Sequence, residues 1–437
     1  EDAIITEPPE GAIRLSELES RHDYNLPFAL ENNNNEISSV LLNNETIDFS
    51  LGSFIEFNET GFFEMILKYK DPQQANDTIL FTTVTIEREA SEWGIRTWIP
   101  APVETTFLVS EDIEIIYPQH YTDSIKVPFI FHIRQDGILK PVNCEGICPS
   151  AGSTFYVKRG VGSVNITAHA VTNQMKFMIG GKQQNASLSK VTGSAMDLKG
   201  TINSHTEIVA NTLVRIRNDL EIGPTGSLTI NEGSVVLIDE AVNIILSGPM
   251  VFSGTAENPI FVTCSRHDKF WGGFITRVQG GTLNAQYTIF CQSGYHDSDG
   301  YYWGHSGRQA LFYTENSSLV LEHCFMLDHI GQIFYPQQAT LTLDNIIVQR
   351  AQTGGQINHS DLFLQNSVFT DFPDDSYDFQ DADNDALYLN GSNAEIVNTI
   401  FMYAKDDGLD SGGDDGGEII IENCRFEACF HEGAALS

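Results

Sequence analysis

His323, Asn345, Asn366, Asn398 and Asn423 fall into one column when the pattern apolar-x-Asn-x-x-apolar is aligned down the second half of this chain, at spacings of 22, 21, 32 and 25 residues. The same frame sets Leu321, Leu343, Leu364, Ile396 and Ile421 two residues upstream, and Met326, Val348, Phe369, Phe401 and Phe426 three residues downstream. Units this short, built from strands of about four residues between Gly, Asn and Asp turns, cannot each bury a core of their own. They must stack, which makes a β-solenoid, read here as a right-handed parallel β-helix. A polar side chain recurring at one corner can bond its own backbone and the amide of the next rung. Asn345, Asn366, Asn398 and Asn423 are therefore expected to be buried, one per turn, with their amides in a line.

A second set of columns describes the opposite face. Ala310, Ile333, Ile357, Leu387, Leu409 and Ala434 align as an inward apolar row, with Phe312, Tyr335, His359, Leu389, Ser411 and Leu436 two positions on. Strand alternation then turns Leu311, Phe334, Asn358, Tyr388, Asp410 and Ala435 outward, together with the preceding row Gln309, Gln332, Gln356, Ala386, Gly408 and Gly433. That last row becomes small and acid-flanked toward its end, which reads as space left for a ligand.

The rest of the chain is also β in character. Residues 1–91 alternate as strands at 47–51, 54–57, 62–69 and 80–86, and residues 92–195 supply a further set, with prolines at edges and connections. The expected class is all-β: two small β-sandwich-like domains, 1–91 and 92–195, ahead of a parallel β-helix over 196–437. Ser437 falls inside a new strand, so a C-terminal remainder of the same polypeptide is expected to complete the solenoid.

With 24 basic against 59 acidic side chains, the net charge of -35 argues against nucleic acid and anionic membrane surfaces as partners. No apolar run approaches the length of a membrane span. A secreted or cell-surface protein fits this balance, as does one that collects calcium. Of the seven cysteines, Cys144 and Cys148 have the spacing of a small disulfide loop, whereas Cys324 and Cys424 share a column directly after the asparagines and read as core.

Two motifs carry a resemblance. The segment Thr255-Ala-Glu-Asn-Pro-Ile260 followed by Trp271-Gly-Gly-Phe274 resembles a coil signature of secreted right-handed β-helix repeat proteins. Further on, Asn384-Asp385-Ala386, Asp406-Asp407-Gly408 and His431-Glu432-Gly433 open three successive outward strands, an arrangement similar to the acidic rungs of the pectinase-like β-helix hydrolases. His431-Glu432-Gly433 stands where that family has Gly-His-Gly.

Stacked at about 4.8 Å per rung, Asp385, Asp407 and Glu432 would form a carboxylate column beside Asp410 and His431. Like charges so placed require a raised pKa, a bound cation or splaying into solvent. A raised pKa suits a glycoside hydrolase, with Asp385, Asp407, Asp410, His431 and Glu432 as candidate catalytic residues. A cation suits calcium, for which Asp374, Asp375, Asp381, Asp383 and Asp385 supply oxygen ligands in one insertion. Tyr301, Trp303, His305, Arg308, Phe334 and Tyr388 are the candidate substrate contacts, since aromatic faces beside carboxylates suit sugar rings. The expected function is binding, and on one reading hydrolysis, of a carbohydrate polymer in an acidic groove. The rival is a non-catalytic adhesin, scaffold or calcium-binding surface module.

Overall fold

Short β-branched and aromatic runs closed by Gly, Asn or Asp favour strands, and strands are what form. The computed structural model describes residues 115–122, 125–130, 186–191, 194–277, 280–295, 308–370, 372, 384–412, 417–426, 429 and 431–436 with their side chains, and further strands by their backbone alone. Among the described residues there is no helix, and so none long and apolar enough to cross a membrane.

The chain divides into two units: Glu1–Leu108 with Asp136–Leu139 and Asp374–Ala382, and Val109–Gln135 with Lys140–Pro373 and Asp383–Ser437. The first carries a five-stranded antiparallel sheet that includes Glu36–Leu42, Gly61–Lys70 and Asp77–Arg88. The second begins with antiparallel sheets, one of them Ile113–Ile116, Lys126–Ile133 and Val161–Thr167. Most side chains that would define sandwich packing over 1–91 and 92–195 lie outside the described residues, as do Cys148 and the side chain of Cys144.

From Met196–Ile202 to Ala434–Leu436, 25 strands follow one another in a single large sheet in which each strand also pairs in parallel with its counterpart one rung later. This stacking is compatible with a β-helix or solenoid. The strands fall into three columns, and in some rungs one long strand, such as Thr282–Cys291 or Ser318–Leu327, serves both the second and the third. The first column includes Phe274–Thr276, Phe312–Glu315, Phe334–Gln337, Gln356–Asn358, Tyr388–Asn390, Leu409–Gly412 and Ala434–Leu436. The second includes Thr340–Asp344, Asp361–Gln365, Asn393–Val397 and Ile419–Glu422, and the third Ile347–Gln349, Val368–Thr370, Ile400–Met402 and Arg425–Glu427.

The apolar columns flanking the asparagines are in register. Leu321, Leu343, Leu364, Ile396 and Ile421 pair down the second column, and Met326, Val348, Phe369, Phe401 and Phe426 down the third. Phe369, Phe401 and Phe426 stack at centroid separations of 5.2 and 5.3 Å. Each such side chain taken from water contributes roughly 1.5–3 kcal/mol, so the core is a continuous apolar rod.

The asparagines themselves are not buried. Asn345 is half-buried and Asn366, Asn398 and Asn423 are exposed, which corrects the expectation of an interior ladder. Their backbone explains the column: His323, Asn345, Asn366, Asn398 and Asn423 have φ of 51°, 54°, 53°, 50° and 53°, the left-handed region in which Asn is among the least strained residues with a side chain. The amides still form an outer ladder, with Asn423 Nδ2 donating to Asn398 Oδ1 at 2.6 Å and Asn398 Nδ2 to Asn366 Oδ1 at 3.2 Å.

A buried staple lies one residue further on. Ser367 Oγ accepts the Ile346 N–H at 3.1 Å and donates to Gln365 O at 2.6 Å, while Thr399 Oγ1 donates to Val397 O at 3.0 Å. Cys324 and Cys424 occupy this same position as free thiols, packed against the Ala285 and Ile396 carbonyls at 3.3 and 3.4 Å. Asn366→Gly is therefore expected to be nearly neutral and Asn366→Ala to cost about 1 kcal/mol, with Ser367→Ala costing about 1–3 kcal/mol. Urea denaturation checks the order; a Gly variant less stable than the Ala variant would show that the amide ladder, not φ, selects asparagine.

The first column corrects the expected register. Phe334 pairs with Phe312, not Leu311, and Gln356 rather than Asn358 pairs with Tyr388. From Tyr388 onward the expectation and the structure agree: Tyr388 pairs with Asp410 and Asp410 with Ala435. A slip of one residue reverses every side chain. Phe334 thus enters the core at 0% exposure, stacked on Phe312 with centroids 5.8 Å apart, and Tyr335 moves to the other side of the strand, where it stays buried in a small apolar cluster with Ile275, Ala310 and Tyr313.

Candidate functional site

The outer line of the first column runs Tyr313, Tyr335, then Gln356, Tyr388 and Asp410. Tyr313 and Tyr335 stack at 5.9 Å, and the Arg277 guanidinium lies 5.6 Å from the Tyr313 ring centre. Beside them a groove of about 740 Å³ is lined by Arg277, Tyr313, Glu315, Gln337, Gln338 and His359. These residues were not singled out in the sequence, because the slipped register placed Tyr335 inside. Strict alternation from Phe312 through Thr314 would have shown Tyr313 and Glu315 as outward.

Two rungs below Tyr335, Tyr388 lies half-buried with its hydroxyl over Gly412, where a Cβ would collide with it. Three turns then bring the acidic residues together. Their backbones are locked rung to rung: the Ala386 N–H donates to Asp407 O at 2.8 Å, Gly408 N–H to Glu432 O at 3.0 Å, and His431 N–H to Asp406 O at 3.2 Å. The small row that opens these strands faces inward. A Cβ on Gly408 would come within 2.8 Å of Cys429 Sγ and 3.1 Å of Phe426 Cδ1, and one on Gly433 within 3.0 Å of Phe426 Cβ. Smallness here accommodates the Phe369, Phe401 and Phe426 stack, which corrects its reading as ligand space.

Asp385, Asp407 and Asp410 converge, with one carboxylate oxygen from each lying within 4.8 Å of the others. Asp385 is 2% exposed and Asp407 6%, while Asp410 is half-buried. The Asp407 N–H donates to Asp385 Oδ1 at 3.2 Å, and Asp385 Oδ2 is buried with no hydrogen-bond partner among the described residues. Burial, and then the charges of Asp410 and Asp406, push the Asp385 carboxyl up to about 9. Burial also raises Asp407, opposed by the Glu432 N–H that donates to its Oδ1 at 2.6 Å and by His431, whose Nδ1 lies 3.2 Å away.

Glu432 does not join this group. Its side chain is exposed, and its backbone N–H rather than its carboxylate meets Asp407. His431 is exposed at the rim, forming a second cluster with Asp406 and Asp407. Arg308 is half-buried, its carbonyl accepting from Gln332 Nε2 at 3.2 Å. Phe334 cannot touch a substrate from inside the core. Tyr301, Trp303, His305, Asp374, Asp375, Asp381 and Asp383 lie outside the described residues.

A separate cleft of about 390 Å³ is lined in part by Lys126, His267, Asp328, His329 and Arg350. Burial lowers His329 to about 4, so the ring is neutral. The Ser293 N–H donates to Nδ1 at 3.1 Å, which leaves Nε2 protonated and donating to Phe290 O at 3.1 Å. With both nitrogens committed, this histidine pins two rungs together and is not poised as a base. A search of protein families and curated proteins returned no match to the chain.

Proposed function

We propose that residues 196–437 form a right-handed parallel β-helix of a secreted or cell-surface protein that binds a carbohydrate polymer along the first column. The observation that carries this reading is the line of Tyr313, Tyr335 and Tyr388 along the outer side of the first column, with Tyr388 half-buried and the other two largely covered at 4% and 8% exposure, ending at Asp410 and flanked by the groove of Arg277, Glu315 and Gln337. Aromatic faces with polar groups at their edges suit sugar rings, which present C–H faces and equatorial hydroxyls. Binding without turnover fits the acidic end better than hydrolysis. Paired-carboxylate hydrolysis requires both groups to reach the glycosidic bond, whereas Asp385 is sealed in and Glu432 points away from the cluster.

Tyr388→Ala is expected to weaken binding of a matching polysaccharide about tenfold, corresponding to roughly 1–1.5 kcal/mol. Glu432→Gln is expected to leave it unchanged. Affinity electrophoresis across neutral and acidic polysaccharides measures both. Absence of binding to any of them sinks the reading, and reducing-end release that disappears in Asp407→Asn would install the hydrolase reading in its place.

A further inference from the structure

We propose that Asp385, Asp407 and Asp410 hold one calcium ion at the foot of the first column. The site differs from the expected calcium loop at 374–383 and shares only Asp410 with the sugar-binding proposal. Two independent observations meet here. The first is geometric: three carboxylates from two adjacent rungs present oxygens within 4.8 Å of one another. Calcium binds oxygens at about 2.4 Å, so ligands on opposite sides of it are about 4.8 Å apart, and one ion can touch all three. The second is the unpaired Asp385 Oδ2, on a side chain 98% removed from solvent. A buried acceptor left unsatisfied is destabilising, and this one belongs to a carboxylate of the trio.

The surrounding bonds prepare the carboxylates rather than consume them. Asp385 is held through Oδ1 by the Asp407 N–H, and Asp407 through Oδ1 by the Glu432 N–H and His431. These bonds engage the Oδ1 atoms, and Asp385 Oδ2 remains without a partner among the described residues. A single shared proton could bridge only two of the three carboxylates; a divalent cation can contact all three at once and offsets two of their three charges. An all-oxygen set selects a hard cation over zinc or copper.

Calorimetric titration of the chelator-stripped full chain with calcium tests this. One site is expected, weakened at least a hundredfold in Asp385→Asn and in Asp407→Asn and at least tenfold in Asp410→Asn, but retained in Asp381→Asn, Asp383→Asn and Tyr388→Ala. At a hundredfold excess over its Kd, calcium should raise the melting temperature of the parent by about 3 °C and leave Asp385→Asn unmoved. The Asn variant is isosteric, and an undiminished melting temperature in chelator shows that it folds. The proposal is overturned if calcium does not bind, if Asp385→Asn binds as the parent does, if the Asp381 and Asp383 variants lose the site instead, or if only zinc or magnesium shifts melting. Because the Tyr388 variant keeps its calcium, a failure of sugar binding and a failure of the metal site remain distinct.

Discussion

In chelator, Asp385→Asn is expected to be more stable than the parent at pH 7 by on the order of 4 kcal/mol, and to differ little from it near pH 4. The carboxyl has an ordinary value of 3.8 in the unfolded chain and about 9 in the fold. Below the lower value both states carry the proton and nothing is lost. Between the two values the folded state holds a proton that the unfolded state has released, so stability falls by about 1.4 kcal/mol for each pH unit. Above about 9 the loss is complete and the curve levels. Asparagine has no such proton, so the difference between variant and parent isolates this residue from the general repulsion of a chain with net charge -35. Urea denaturation at intervals from pH 4 to 9 measures it. Parallel stability curves would mean that the Asp385 carboxyl is solvated and that the cluster is an ordinary acidic turn.

Gly355→Ala should be among the most destabilising small substitutions in the chain, at about 4 kcal/mol or more. Gly355 has φ of 123°, a region closed to residues with a Cβ, and the added carbon would lie 2.6 Å from Phe334 N and against the Phe334 carbonyl. Backbone cannot move aside as a side chain can. The position continues the line of Phe274, Phe312 and Phe334, whose rings stack down the core at 5.6 and 5.8 Å. That stack stops at Gly355 because two rungs come together there without side chains between them. Gly200→Ala is the comparison: φ is 70° but nothing lies within 4 Å of its Cβ, so only the backbone cost of about 1 kcal/mol is expected. Equal losses for the two variants would place the whole effect in φ and none in the close approach.

Much of the architecture was legible from residues alone. Leu364 and Ile396, or Phe369 and Phe401, stand among polar neighbours at a constant offset from an asparagine, so only one alignment buries them all. The turn geometry was legible too, since a left-handed corner tolerates few residues besides glycine and asparagine. What the asparagine column could not reveal was its depth, because the same preference arises whether the amide points inward or out. Register failed where alternation carries no information. Ala310-Leu311-Phe312 and Ile333-Phe334-Tyr335 are apolar in both phases, so alternation cannot choose between them, and the pairing of Phe334 with Phe312 on one side and Gly355 on the other is seen only in the stacked rungs. The carboxylates were recognisable as neighbours by counting rungs from Tyr388 to Asp410. Their separation into a sealed Asp385, a bonded Asp407 and an exposed Glu432 depends on which backbone amide meets each carboxylate, and those amides come from residues 22 and 25 positions further along the chain. Sequence determined the repeat and the apolar lines of the second and third columns; tertiary contact alone decided the register of the first column and which charges lost their water.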